Sequence, residues 1–169
     1  TSPVVQGTTY FASPEVNGCE SQTRLSVSPT IYSKASISLA GTSTFCQGES
    51  RTITASPASK YLWTNGATTQ AITVSTSGLY AVTLESASGC KITSAPQLIT
   101  ALANPVANIT ANGPTTFCQG GSVTLTASAG STYAWSNGLS TQSITVNATG
   151  NYSVTVTNAS GCSATSTPV

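Results

Sequence analysis

The chain has 169 residues with no His, Met or Asp, and its only acidic residues are Glu15, Glu20, Glu49 and Glu85. Five basic residues oppose them, giving net charge +1 with 5% charged residues, against about 25% in an ordinary domain. This inventory is nearly empty for acid–base catalysis, five scattered cations make no nucleic-acid footprint, and no apolar run approaches the ~20 residues of a membrane helix.

The chain does not read as disordered. Hydrophobic residues reach 38%, and they alternate with Ser and Thr, which together fill about a third of the sequence. Val, Ile, Thr and Tyr favour strands, and no helical spacing is found. The absence of an initiator Met and of a secretion signal reads as a mature or excised piece of a longer protein. Residues 1–33 read as the C-terminal part of a truncated module. Gly7, Tyr10 and Asn17-Gly18-Cys19 echo the later order Gly78, Tyr80, Gly89-Cys90. Tyr10, Phe11 and Tyr32 are aromatic candidates for exposure there.

From residue 36 onward the chain repeats itself. A shift of 72 residues aligns Ser36–Pro96 with Asn108–Pro168 without a gap, the mark of tandem units. Units of about 70 residues can each hold a core, so the expected domains are 34–103 and 104–169. Linkers are expected near Ser28-Pro29-Thr30 and Ala103-Asn104-Pro105. In the first repeat, strand signals run through Ile37–Leu39, Thr52–Ala55, Tyr61–Trp63, Ile72–Val74, Tyr80–Leu84 and Lys91–Thr93. Turns are expected at Gln47-Gly48, Asn65-Gly66, Ser77-Gly78 and Ser88-Gly89. Short strands at this spacing predict an all-β fold of tandem immunoglobulin-like β-sandwich modules. Thr on the solvent faces takes the place of charge.

Cys46 and Cys90 lie 44 residues apart, as do Cys118 and Cys162. The duplicated spacing predicts one disulfide inside each module and an oxidising location. Zinc competes poorly, since there is neither CxxC nor His. Cys19 is left over in this chain. Its partner lies upstream, or it forms an intermolecular disulfide or stays a free thiol.

Trp63 and Trp135 fall where a sandwich buries its central aromatic, and Tyr80 and Tyr152 read as tyrosine corners bonded to nearby backbone. Tyr61, Tyr133, Gln70 and Gln142 are the candidates for ligand contact, with carbohydrate as the ligand class. Glu49 and Glu85 become Gly121 and Thr157 in the second copy, so neither carboxylate is kept between copies. No carboxylate pair is placed as glycosidases require, and no nucleophile elbow is present. Asn108, Asn147, Asn151 and Asn158 head N-x-S/T sequons, which matter only with a eukaryotic-type glycosylation system.

Three segments carry a resemblance: Thr116-Phe117-Cys118-Gln119-Gly120-Gly121-Ser122-Val123-Thr124-Leu125, Tyr133-Ala134-Trp135-Ser136-Asn137-Gly138, and Gly150-Asn151-Tyr152 through Gly161-Cys162. Together they resemble the immunoglobulin-like or PKD-like repeats of very large secreted proteins of Bacteroidetes. The resemblance implies a cell-surface or secreted protein exported by the type IX system, in the setting of gliding-motility adhesins or modular polysaccharide-degrading enzymes. The expected function is a noncatalytic, extracellular spacer stalk of a surface adhesin, with no cofactor and no metal. The alternatives are a spacer or carbohydrate-binding accessory of a secreted hydrolase, and cargo bound to the export machinery. The expected partners are neighbouring modules of the same polypeptide, surface polysaccharide, or outer-membrane secretion and anchoring proteins, without nucleic acid or membrane insertion.

Overall fold

A computed structural model describes residues 4–5, 8–12, 15–16, 19–20, 24–28 and 34–169. The fold is all-β, with no helix among these residues. Tyr32, Pro29 and Thr30 lie outside them.

The first described elements form two small antiparallel pairs. Strand β1 (Tyr10–Ala12) pairs with β4 (Leu25–Val27), and β2 (Glu15–Val16) pairs with β3 (Cys19–Glu20).

The first repeat contains nine strands: β5 (Ile37–Leu39), β6 (Thr44–Cys46), β7 (Arg51–Ala55), β8 (Lys60–Trp63), β9 (Ala71–Val74), β10 (Gly78–Tyr80), β11 (Val82–Glu85), β12 (Lys91–Thr93) and β13 (Gln97–Leu102). They form three sheets in the orders β5-β7-β9, β12-β11-β8 and β10-β13-β6. Period-2 alternation decides what each buries. Ile53, Ala55, Ile72 and Val74 from the first sheet join Trp63, Val82 and Leu84 from the second in one buried cluster, with Phe45, Tyr80 and Ile99 from the third. The intervening Thr residues face solvent and bond across strands, as Thr83 does to Thr93 at 3.0 Å. Such pairs act beside the cross-strand ion pairs that Glu85 makes.

The second repeat reproduces six of these strands at the 72-residue offset: β14 (Ile109–Ala111), β15 (Val123–Ala127), β16 (Thr132–Trp135), β17 (Ser143–Val146), β18 (Val154–Thr157) and β19 (Ser163–Thr165). Sheets β14-β15-β17 and β16-β18-β19 enclose a separate cluster of equivalent residues, among them Leu125, Trp135, Ile144, Val154 and Val156. Residues 103–108, between the two copies, carry no strand.

Several expectations need correction. Ser77-Gly78 is no turn, because Gly78 opens β10. Gly78 packs beside the ring of Tyr80, which would lie in ordinary contact, 3.4 Å, from an added Cβ. The run from Tyr80 to Leu84 is two strands that change sheets at Ala81: Tyr80 pairs with Gln97 and Val82 with Trp63. Strands β6 and β13 were not expected. They pair in parallel, with Thr100 opposite Thr44 and Leu102 opposite Cys46.

The largest correction concerns the cysteines. No disulfide closes within either repeat. Cys46 bonds Cys162, 116 residues away, and Cys90, Cys118 and Cys19 are free and exposed. The reason is the direction of the strands. Cys46 lies level with Leu102, where the chain leaves the first repeat. Cys90 lies beyond the other end of β11, past eight or more residues of extended chain from Ser77, which bonds Ala101. At about 3.3 Å per residue this puts the two cysteines on the order of 20 Å apart, whereas a disulfide needs Cα atoms within about 7 Å. The spacing that repeats is real, but it connects opposite ends of one unit.

Candidate functional site at the junction of the repeats

The junction is built by residues that each repeat supplies from one end. From the first repeat come Cys46 and the turn after it, where Gln47 N–H donates to the Leu102 carbonyl at 2.8 Å. From the second comes the turn between β18 and β19. There Asn158 Oδ1 accepts from the N–H groups of Ser160 and Cys162, both at 3.0 Å. Gly161 completes this turn at φ +82°, a left-handed value that favours glycine.

Three contacts tie the two ends together. The Cys46–Cys162 bond has its Cα atoms 5.5 Å apart. Asn158 Nδ2 donates to the Ala103 carbonyl at 3.0 Å, and Asn104 Nδ2 donates to the Gln47 carbonyl at 3.0 Å. Cys162 is fully buried, and Cys46 is half-buried. The connecting segment is therefore bonded to both repeats. The joint has a covalent staple and two amide struts.

The other sequence-derived candidates take structural positions. Trp63 and Trp135 are buried, and each Nε1–H donates to a carbonyl six residues on, Thr69 and Thr141, at 2.8 Å. Tyr80 and Tyr152 donate to the carbonyls of Thr76 and Ala148, four residues back, at 3.1 and 3.0 Å. The four ligand-contact candidates have polar ends that are already engaged. Tyr61 Oη accepts from Ala58 N–H, and Tyr133 Oη exchanges bonds with both backbone groups of Gly130. Gln70 and Gln142 donate to the Ala55 and Ala127 carbonyls. Phe11 is 64% exposed, while Tyr10 Oη accepts from Val5 N–H at 2.7 Å. The structure does not bring Tyr61, Tyr133 and the glutamines into one site, since they belong to two different repeats.

Charged side chains pair in two places among the described residues. Glu85 lies 2.6 Å from Lys60 and 3.6 Å from Lys91. The hydrogen bond from Lys60 holds its carboxyl below the ordinary glutamate range, with Lys91 adding to the effect. Arg51 bridges Glu49 at 3.0 Å and stacks 4.9 Å over the Phe45 ring. Among the described residues, no three of His, Cys, Asp and Glu converge. No helix there is long and apolar enough to cross a membrane.

Among the described residues, concavities include two lined by apolar side chains of the cores. One of about 610 Å³ lies beside Cys90, lined by Pro57, Ala58, Leu84, Ala87 and Ile92. The other, of about 260 Å³, is lined by Phe117, Val123, Leu125, Val146 and Tyr152. It corresponds to the place that β13 fills with Ile99 in the first repeat, where Phe45 is correspondingly buried. The junction was legible only in part: the cysteines and the linker could be read, but the partner of each could not. The chain matches no protein-family model and no curated protein sequence.

Proposed function

We propose that this chain is a noncatalytic, load-bearing segment of an extracellular surface protein. In this reading the two repeats are immunoglobulin-like β-sandwich modules arrayed in tandem, and they serve as the spacer stalk of a large bacterial adhesin of the gliding-motility type. The resemblance of the repeats to modules of type IX-secreted proteins is one support. The observation that carries the reading is the staple between Cys46 and Cys162.

The mechanism follows from where the staple sits. Tension applied to the chain on either side of the two repeats would enter at residues before Cys46 and leave at residues after Cys162. The covalent bond bypasses nearly everything between them, including both Trp-centred cores. Only β5, the start of β6, β19 and the final residues can peel while the bond is intact. A stalk built this way extends little under load, because the chain between the two cysteines cannot be drawn out while the bond holds. The disulfide fits an oxidising compartment. A surface with five Lys and Arg residues in all offers few trypsin-type cleavage sites, which suits exposure outside the cell.

Single-molecule pulling tests this reading. Reduction should release the chain between the two cysteines, adding about 400 Å of contour length at ~3.5 Å per residue. Equal contour lengths before and after reduction would remove the mechanical role. Specific, Tyr- or Gln-dependent binding to a glycan array would replace the spacer by the carbohydrate-binding reading.

A further inference from the structure

The two free cysteines of the repeats are the bonded pair displaced by one period. Cys118 stands 72 residues after Cys46, and Cys90 stands 72 residues before Cys162. Each bonded cysteine thus has a free counterpart in the other repeat. From this relation we propose that Cys118 and Cys90 are the two open halves of a general joint. Cys118 receives the Cys162-type thiol of a following repeat, and Cys90 receives the Cys46-type thiol of a preceding one.

Three further observations support the joint. The free cysteines are held in the same local frames as the bonded ones. Ser86 N–H donates to the Cys90 carbonyl at 2.9 Å, as Asn158 N–H does to Cys162. Ser86 Oγ accepts from Cys90 N–H at 3.1 Å, where Asn158 Oδ1 accepts from Cys162 N–H. On the other side, Gly121 N–H donates to the Cys118 carbonyl at 2.9 Å, and Glu49 N–H to that of Cys46 at 3.1 Å. The turn beside each free cysteine therefore repeats the backbone bonding beside its bonded counterpart.

The second observation is what surrounds the thiols. The apolar concavity beside Cys90 occupies the face that, on the second repeat, meets Ala103 and Cys46. Cys162 is buried there, whereas Cys90 is exposed. The third is the strand slot next to Cys118. Val169 takes the place of Gln97, exchanging both backbone bonds with Tyr152 at 2.8 and 2.9 Å as the start of a β13-like pairing. The slot beyond it is lined by Phe117, Val123 and Leu125. It accepts a strand of the Gln97–Leu102 pattern, whose third residue is the fully buried Ile99. Such a strand would complete the second repeat as β13 completes the first, and would bring a further repeat to Cys118 as Leu102 brings the second repeat to Cys46.

Closing the joint is a two-electron oxidation. A small-molecule disulfide such as oxidised glutathione supplies the oxidising equivalents: one thiolate attacks it and releases one thiol, and the second thiolate displaces the other. Two protein thiols and one disulfide become one protein disulfide and two small thiols.

The test lengthens the chain by one copy of residues 98–169 placed after Val169, so that the period continues, with Cys19→Ser to remove the unrelated thiol. After oxidation in glutathione buffer, chymotryptic mapping should find Cys118 joined to the appended copy of Cys162, with Cys46–Cys162 unchanged. Native maleimide labelling should mark Cys90 and the appended copy of Cys118. In the Cys118→Ser variant, the appended copy of Cys162 should become fully labelled. Cys118 remaining free, or bonding within its own repeat, would overturn the proposal. The result is independent of the stalk reading: an absent joint leaves the present pair stapled, and a failed pulling experiment leaves the joint chemistry intact.

Discussion

Cys46 and Cys162 bond across two repeats, while the residues one period away from each, Cys118 and Cys90, stay exposed as thiols. The staple should therefore couple the repeats thermodynamically. Cys46→Ser or Cys162→Ser is expected to cost up to about 4–5 kcal/mol for unfolding of the pair, the chain-entropy value for a loop of this size. The single transition of the oxidised chain should split into two. Cys90→Ser and Cys118→Ser should stay within about 0.5 kcal/mol, as exposed substitutions do. Chemical denaturation with and without reductant checks both.

Trp63 and Trp135 fill equivalent cores and donate equivalent bonds to Thr69 and Thr141. Trp63→Ala and Trp135→Ala should each lose about 3–5 kcal/mol in their own repeat. In the reduced protein, each should lower one of the two transitions and leave the other in place. Fluorescence from the remaining Trp reports which repeat has melted.

Among the described residues, Glu85 is the carboxylate held by two lysines. Its lowered pKa means that the unfolded chain takes up its proton first as pH falls. The stabilisation is present above the ordinary glutamate pKa of about 4.3 and is lost as pH falls through the folded value. The second repeat carries Thr157, Thr132 and Ser163 at these positions, so it should not share this acid sensitivity. In a carboxyl NMR titration, Glu85 should titrate below the ordinary range, and Lys60→Met should move it upward.

Gly130 sits where an added Cβ would lie 2.3 Å from Val156 Cγ1 and 3.2 Å from the Thr157 carbonyl. A Val methyl cannot swing away freely, so Gly130→Ala should cost about 1–3 kcal/mol through overpacking. The first repeat has Ala58 opposite Leu84 at the same positions. Restoring that combination with Gly130→Ala and Val156→Leu together should recover part of the loss, measured as the midpoint of the second repeat's transition.

The strands were readable because burial enforces alternation. Ile53 and Ala55, or Ile144 and Val146, are spaced to reach one face, and the duplicated pattern checks itself. The Trp and Gly-x-Tyr positions were readable for the same reason. Cysteine connectivity was not, because a period of 72 makes two pairings look alike: partners 44 apart within a unit and partners 116 apart across units recur in the same register. Only the direction of β11, which carries Cys90 away from Cys46, decides between them. The parallel pairing of β13 with β6 was also hidden, since it joins residues far apart in the sequence through tertiary contact alone. Asn158, whose amide bridges to Ala103, was read as the head of a glycosylation sequon. Its replacement of Ser86 was the one available hint that this end of the second repeat meets something the first does not.

Disulfide mapping of the native, unreduced chain tests the account most directly. Thiols would be blocked with maleimide before chymotryptic digestion, and the linked peptides identified by mass spectrometry. The result expected is a single linked pair containing Cys46 and Cys162, with Cys19, Cys90 and Cys118 carrying the label. Linked pairs of Cys46 with Cys90 and of Cys118 with Cys162 would contradict it, and would return the staples to the interior of each repeat.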